Sequence, residues 1–233
     1  DHVVLSSRVR LARNVTGRPF PGRAKKASRV ETCEFIQPAI AAASAMRGSF
    51  SGSMQPLQAL DKQLLVERHL ISREHAAKGA GSGLVLSKDE TLSVMINEED
   101  HLRMQALLPG LQVKQVWQKM DRFDTSLEKK LDLAFDAQLG YLTACPTNLG
   151  TGIRVSAMLH LPGLVLTDQV NQIVQAVTKL SHAVRGLYGE GTEALGHLFQ
   201  VSNQMTLGES EMDIIERFHK VVLQVIEHEE NAR

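Results

Sequence analysis

The chain has 233 residues, 43% apolar and 22% charged, a composition for a packed globular core and not for a disordered segment. Lys plus Arg and Asp plus Glu both number 26, so the net charge is zero, which argues against a general polyanion binder. No run of about 18 apolar residues is present and the first residues form no apolar signal core, which excludes a transmembrane helix or secretory leader within the sequence. Cys33 and Cys145 are too few for a disulfide framework, and a cytoplasmic setting is expected. The chain starts at Asp1, not Met, and stops at Arg233 inside a charged helical pattern, as a piece of something longer would. With no repeats and no low-complexity linker, one domain over 1–233 is the simplest count.

Taken in chain order, SSRVRLA at 6–12 reads as an extended segment that places Arg8 and Arg10 on one face, because side chains alternate along a strand. Residues 31–46 read as a helix disturbed at Pro38. Residues 48–56 form a Gly/Ser loop, and QLLVERHLIS (63–72) reads as a strand. A flexible loop at 79–83 precedes LVLS and TLSVMIN, whose SKDE connection predicts a hairpin. Residues 99–108 read as a helix ended by Pro109-Gly110. A helical apolar period runs through 112–138. Residues 141–144 and 153–160 read as strands around a polar, glycine-containing loop. Residues 167–182 read as a second long helix with Thr167 as N-cap. Residues 183–188 and 197–203 read as strands, and a last helix starts near 209. Hairpin-joined strands with long helices predict an α+β fold with a largely antiparallel β-sheet flanked by α-helices.

The zero net charge hides local asymmetry. Eight basic residues, Arg8, Arg10, Arg13, Arg18, Arg23, Lys25, Lys26 and Arg29, lie before Val30 with no acidic residue between them, while 209–230 holds seven acidic residues. A solvated basic surface is one reading; arginines facing a small anion is the other. Arginines recur beside glycines and carboxylates in SSRVRLARN, NEEDHLR, CPTNLGTGIR and RGLYGEGTEA. Guanidinium forks suit phosphate oxygens and stay charged, so Arg8, Arg10, Arg103, Arg154 and Arg185 together could hold a triphosphate. There is no GxxxxGK[ST], which excludes a Walker-type site. GEGTEA mimics a dinucleotide fingerprint, but a strand pattern follows it where that fold needs a helix. Glu98, Glu99 and Asp100 follow the apolar run SVMI, where they are either presented to a cleft or placed at an exposed helix N-terminus. His101 lacks the second ligand cluster of a zinc site. Cys145 lies in a loop too polar for an ordinary core thiol, whereas Cys33 reads as structural.

Together these segments resemble the catalytic domain of the phosphagen kinases, the ATP:guanidino phosphotransferases, whose fold is glutamine-synthetase-like. SSRVRLARN, NEEDHLR, CPTNLGTGIR and RGLYGEGTE occur in the family's order and approximate spacing. LVERHLIS, YLTACPTNLGTG, MLHLPGLVLT and RGLYGEGTEALGHLFQVSNQMTLG are most similar to its bacterial protein-arginine kinase branch. The N-terminal helical domain of the small-guanidine kinases and the C-terminal domain of that bacterial branch have no counterpart in the sequence.

The resemblance implies the following roles. Ser6, Ser7, Arg8, Val9 and Arg10 lie at the first ATP-phosphate segment. His69, Arg103, the run Arg154, Val155, Ser156, Ala157 and Met158, and the run Arg185, Gly186, Leu187, Tyr188, Gly189 and Glu190 complete the nucleotide site. Glu99 is the catalytic carboxylate, Glu190 the second carboxylate that binds the substrate guanidinium, and Cys145 the reactive cysteine, acting as thiolate. Magnesium is held through the ATP phosphates and not by protein ligands.

The implied activity is transfer of the γ-phosphoryl group of ATP to arginine side chains in proteins. The implied partners are stress-response repressors, Clp protease clients and a possible activator protein. A kinase of free arginine or another small guanidine is an alternative, and a catalytically silent ATP-binding regulatory module is another. Direct nucleic-acid binding is poorly supported, since no stacking aromatics interleave the N-terminal arginines.

Overall fold

The computed structural model describes residues 2–186 and 195–233. In chain order the elements are β1 (Val4–Arg13), α1 (Lys26–Ala41), β2 (Phe50–Ser53), α2 (Ala59–Glu67), α3 (Arg73–Ala76), β3 (Gly83–Leu86), β4 (Leu92–Ile96) and β5 (Leu102–Pro109). There follow α4 (Val113–Glu128), the short pair β6 (Phe135–Asp136) and β7 (Gly140–Tyr141), β8 (Ile153–His160), α5 (Pro162–Leu166), α6 (Val170–Lys179), β9 (His182–Gly186), β10 (Leu198–Asn203) and α7 (Glu211–Ala232). Eight strands hydrogen-bond in the order β2-β3-β4-β5-β1-β8-β10-β9. The β2/β3, β3/β4, β4/β5, β8/β10 and β9/β10 pairs are antiparallel, so the expected α+β class with a largely antiparallel sheet is observed.

The chain forms two compact units. One comprises 1–9, 107–118 and 153–233, the other 10–106 and 119–152. In the first unit the odd-numbered residues Val155, Ala157 and Leu159 of β8 are buried, as are Phe199 and Val201 of β10. Helix α7 packs on β8 and β10 with its apolar stripe of Ile214, Ile215, Phe218, Val221, Val222 and Val225. Ser210 caps α7, its hydroxyl accepting from the Asp213 N–H. Buried Glu229 accepts from the Gly163 and Leu164 N–H groups, at 2.9 and 3.0 Å, and so closes the start of α5. In the second unit, Met54, Ile71, Leu84 and Met95 form a buried cluster covered by Leu57, Leu65, Val66 and Ala76.

Several local expectations give way to tertiary pairing. Residues 63–72 hold the end of helix α2 and a turn, not a strand; a short apolar run cannot by itself separate the two. Residues 102–109 form β5, not a helix, because the ladder to β4 (Met104 opposite Val94, Ala106 opposite Leu92) outweighs the helical propensity of Leu, Met, Gln and Ala. Helix α1 begins earlier than expected and continues through Pro38 to Ala41. Helix α4 stops at Glu128, and Phe135 turns back to pair with Tyr141. The single helix expected over 167–182 is two: Thr167 is the C-cap of α5, its hydroxyl donating to the Gly163 carbonyl at 2.8 Å, and Asp168 sits at φ +57° before α6. The β3/β4 hairpin and strands β8 and β10 lie where the sequence places them, β9 covers 182–186 with 187–188 of the expected strand outside the described residues, and of the strand expected at 141–144 only Tyr141 is in one.

Candidate active site

In the second unit, Ile96 pairs with Leu102, leaving Asn97 to His101 as a five-residue turn between β4 and β5. The Asn97 N–H donates to the His101 carbonyl at 3.0 Å, and Asn97 takes a left-handed φ of +56°. Its side-chain amide donates to the Arg29 and Gly81 carbonyls at 2.8 and 2.7 Å, which holds the turn against α1 and the loop before β3. The three acidic residues therefore occupy a hairpin tip and not a helix N-terminus, and they point apart. Glu98 is buried and accepts from Arg103 Nη1 at 2.6 Å, from the Ser72 hydroxyl at 2.8 Å and from the Glu99 N–H at 2.8 Å. Asp100 is buried and accepts from Asn14 Nδ2 and from the Ala144 N–H, both at 2.6 Å. Glu99 alone is exposed, facing a cavity of about 730 Å³ lined also by Glu98, Arg103, Arg23, Lys78 and Ala144.

The electrostatics separate the three acids further. Burial works to raise the Glu98 pKa, but Arg103, the Ser72 hydroxyl and the Glu99 N–H outweigh it, and the group stays below the usual range. Glu99 is raised, by burial first and then by the neighbouring Asp100 and Glu98 charges, with Arg103 opposing. Asp100 is raised mainly by burial, against the Ala144 N–H and Asn14. Glu98 is thus a fixed anion that positions Arg103, and Glu99 is a carboxylate made more basic and left free to meet a ligand. His101 has both ring nitrogens engaged: Nδ1 accepts from the Val15 N–H at 3.1 Å, so Nε2 carries the proton toward the Pro19 carbonyl at 3.0 Å. It is a structural, neutral histidine.

Cys145 is half-buried in the loop after β7, with Thr147 Oγ1 3.0 Å from its sulfur. Two glycines shape this loop. A Cβ on Gly140 (φ +74°) would lie 2.6 Å from the Gly150 carbonyl, and one on Gly152 (φ +64°) would lie 2.7 Å from the Ala12 carbonyl. Arg13, fully buried, donates to the Thr151 carbonyl at 2.8 Å, pairs with Asp124 at 2.7 Å and stacks 3.4 Å over the Tyr141 ring. Both ends of the cysteine loop are therefore anchored on one guanidinium.

In the first unit, cross-strand partners share a face. Gln200 of β10 lies opposite Met158 of β8 and Arg185 of β9, and Ser202 lies opposite Ser156. Arg8 joins that face, donating from Nε to Ser156 Oγ at 3.3 Å and from Nη2 to Gln200 Oε1 at 2.7 Å. Arg154 shares the parity of Ser156 and donates to the Asn203 carbonyl at 2.9 Å. Three arginines and their polar holders thus line one face of β1, β8, β10 and β9.

Val9, Val155 and Ala157 point into the core on the other face. Ser6 is half-buried. Ser7 is buried, its hydroxyl donating to the Gly110 carbonyl at 2.8 Å and accepting from the Gln112 N–H at 3.0 Å, so it fastens the strand. Arg10 is half-buried on the same side of β1 as Arg8. His69 is exposed at φ +58° beyond α2, and its carbonyl accepts from Gln105 Nε2. Gly186 ends β9 opposite Phe199. Leu187, Tyr188, Gly189 and Glu190 lie outside the described residues. Sequence reasoning missed Ser72, Asn14 and Gln200, which hold Glu98, Asp100 and Arg8; single polar residues carry no periodic signal. Among the described residues no group of three or more His, Cys, Asp or Glu is arranged to hold a metal.

The family profile described as "ATP:guanido phosphotransferase, C-terminal catalytic domain" matches residues 36–232. The chain belongs to the ATP:guanido phosphotransferase family. Relatives within it include the protein-arginine kinase of Halothermothrix orenii, 48% identical over 231 residues, which cover 99% of this chain and 66% of that protein. The protein-arginine kinase of Moorella thermoacetica is 49% identical over 234 residues, 99% of this chain and 67% of that protein. The chain thus spans about two thirds of the length of these curated relatives. Among solved structures of the family, the duplicated taurocyamine kinase from Schistosoma mansoni with bound transition state analog components superposes with a TM-score of 0.86 at 30% identity, over 97% of this chain and 33% of that one. Lombricine kinase superposes with a TM-score of 0.86 at 26% identity, over 98% of this chain and 66% of that one.

Proposed function

We propose that this chain transfers the γ-phosphoryl group of ATP to the guanidino group of arginine side chains in proteins. One observation carries the reading: the NEED hairpin ties down two of its three carboxylates and leaves Glu99 facing an open cavity, with Arg103 held beside it by Glu98. Relatives 48–49% identical carry the name protein-arginine kinase.

A guanidinium has a pKa above about 12 and is not nucleophilic while fully protonated. Glu99, with Glu190, would bind it and orient one nitrogen for attack. As the nitrogen bonds to the γ-phosphorus, the bond to the bridging oxygen of ADP breaks and Glu99 takes the nitrogen's proton. A raised pKa makes Glu99 the better base. Cys145 would add polarity beside the guanidinium. Arg8, Arg10, His69, Arg103, Arg154 and Arg185 would hold the phosphates, with the strand segment Val155 to Met158 and Gly186 shaping the nucleotide's bed. Magnesium carried on those phosphates would supply further charge neutralisation. A silent regulatory role would leave Glu99 without a purpose at the cavity.

Among the described residues no helix is long and apolar enough to cross a membrane. Cytoplasmic arginine-containing proteins, including stress-response repressors and Clp clients, and an activator protein are the partners that go with this reading. The similarity to a taurocyamine kinase and a lombricine kinase favours a second reading, a small free guanidine as acceptor. Incubation with Mg·ATP and either an arginine-rich protein or free arginine separates the two. Phosphoarginine on the protein supports the first reading, and transfer to free arginine alone supports the second.

A further inference from the structure

Asn14 lies directly after β1, 1% exposed, and its side chain uses both donors and its acceptor oxygen. Nδ2 donates to Asp100 Oδ1 at 2.6 Å and to the Leu142 carbonyl at 3.0 Å, and Oδ1 accepts from the His101 N–H at 2.8 Å. The orientation is fixed by its partners, since a flipped amide would set oxygen against the Asp100 carboxylate and N–H against N–H. Its backbone carbonyl also accepts from Ala134 at 2.7 Å. Asp100 Oδ1 in turn accepts from the Ala144 N–H. One amide and one carboxylate therefore join three segments: the end of β1, the NEED tip and the stretch entering the cysteine loop. Glu99 immediately precedes Asp100, and Cys145 immediately follows Ala144.

We infer that Asn14 is a positioning residue of the transfer reaction: through Asp100 it fixes where the Glu99 carboxylate stands relative to Cys145. This rests on the roles proposed above for Glu99 and Cys145. Asn14 touches neither of those side chains and acts through their neighbours. An asparagine suits the place because only a side chain with two donors and an acceptor can meet a carboxylate, a carbonyl and an N–H at once.

The test compares Asn14→Asp, Asn14→Ala and Asp100→Asn, alongside Glu99→Gln. Asn14→Asp sets two buried carboxylates against each other, and Asn14→Ala removes both donors and the acceptor. Asp100→Asn keeps an Oδ1 that can still accept from Asn14 and from Ala144. The readouts are kcat and KM for ATP with an arginine-rich protein, and the rate at which iodoacetamide labels Cys145, located by mass spectrometry. Cys33 labels slowly, being buried with its thiol pushed up to about 11 by burial and by Glu34.

A misplacement of order 1 Å lowers rates by about 10²-fold, so Asn14→Asp is expected to lower kcat by about that factor and change the labelling rate, with KM for ATP unmoved. Asn14→Ala is expected to change both in the same direction, and Asp100→Asn, whose Oδ1 can still meet Asn14 and Ala144, to lose less than Asn14→Asp. A folded Asn14→Asp with unchanged kcat and labelling overturns the inference, as does a folded Asp100→Asn at least as impaired as Asn14→Asp. Where Asn14→Asp does not fold, Asn14→Ala decides: a lowered kcat and changed labelling with KM for ATP unmoved support the inference, and native kcat and labelling contradict it. Retained turnover in Glu99→Gln would instead overturn the proposed chemistry, a result separate from any obtained at Asn14.

Discussion

Glu98, Glu99 and Asp100 are consecutive and chemically alike, yet each has a different task because each meets different neighbours. Glu98 is neutralised by Arg103, Asp100 is bound by Asn14 and Ala144, and Glu99 is left with its pKa raised by burial and by the other two. The base role proposed for Glu99 requires it to be ionised, so kcat/KM should fall on the acid side at a pH above that of an ordinary glutamate, 4.5. A pH–rate profile with its acid limb below that value would contradict the assignment.

His75 offers a second residue-scale prediction. Its ring is fully buried, Nε2 lies 2.9 Å from the Gly83 carbonyl, and burial lowers its pKa from 6.5 to about 4. Between those values the unfolded chain binds the proton and the folded chain does not, so stability rises with pH across that window. The contribution is complete above pH 6.5 and is lost as pH falls toward about 4, a swing of about 3 kcal/mol at most. His75→Gln should flatten this part of the stability–pH curve in urea titrations. An unchanged slope would show that the swing comes from other groups.

At the scale of elements, buried polar anchors hold parts of the fold that propensity does not. Arg13 and Asp124, at 1% and 9% side-chain exposure, join β1 to α4, and removing one partner of such a pair costs about 3–5 kcal/mol. Asp124→Ala should lower the urea midpoint accordingly; a change within about 0.5 kcal/mol, as for an ordinary surface substitution, would show the pair to be incidental. Glu229→Ala strips two N–H groups at the start of α5 of their acceptor and should cost about 1–3 kcal/mol.

The same anchors explain which elements the sequence revealed. Helix α7 shows its apolar stripe openly, and SKDE marks the β3/β4 turn. Strand β5 is written in helix-forming residues and becomes a strand only because β4 pairs with it. Glu99 and Cys145 stood out by chemistry and motif. Asn14, Ser72 and Gln200 did not, because a single polar residue gains its meaning only from partners that lie 26 to 192 positions away.

At the scale of the whole molecule, zero net charge conceals a division of labour. In one unit Arg8, Arg154 and Arg185 share a sheet face suited to phosphate oxygens. In the other the NEED hairpin presents Glu99 to a cavity, where the proposed function seats the guanidinium. Under the proposed function neither a Walker loop nor a covalent intermediate is required, since such a transfer is governed by positioning and charge.

The most direct measurement of the central claim is mass spectrometry for phosphoarginine on an arginine-rich protein incubated with Mg·ATP and either the native chain or Glu99→Gln. ATP binding is measured on both by calorimetry. Phosphoarginine should appear with the native chain and fall by at least about 10²-fold with Glu99→Gln at unchanged ATP affinity. Phosphoarginine formed equally by both proteins would contradict the account.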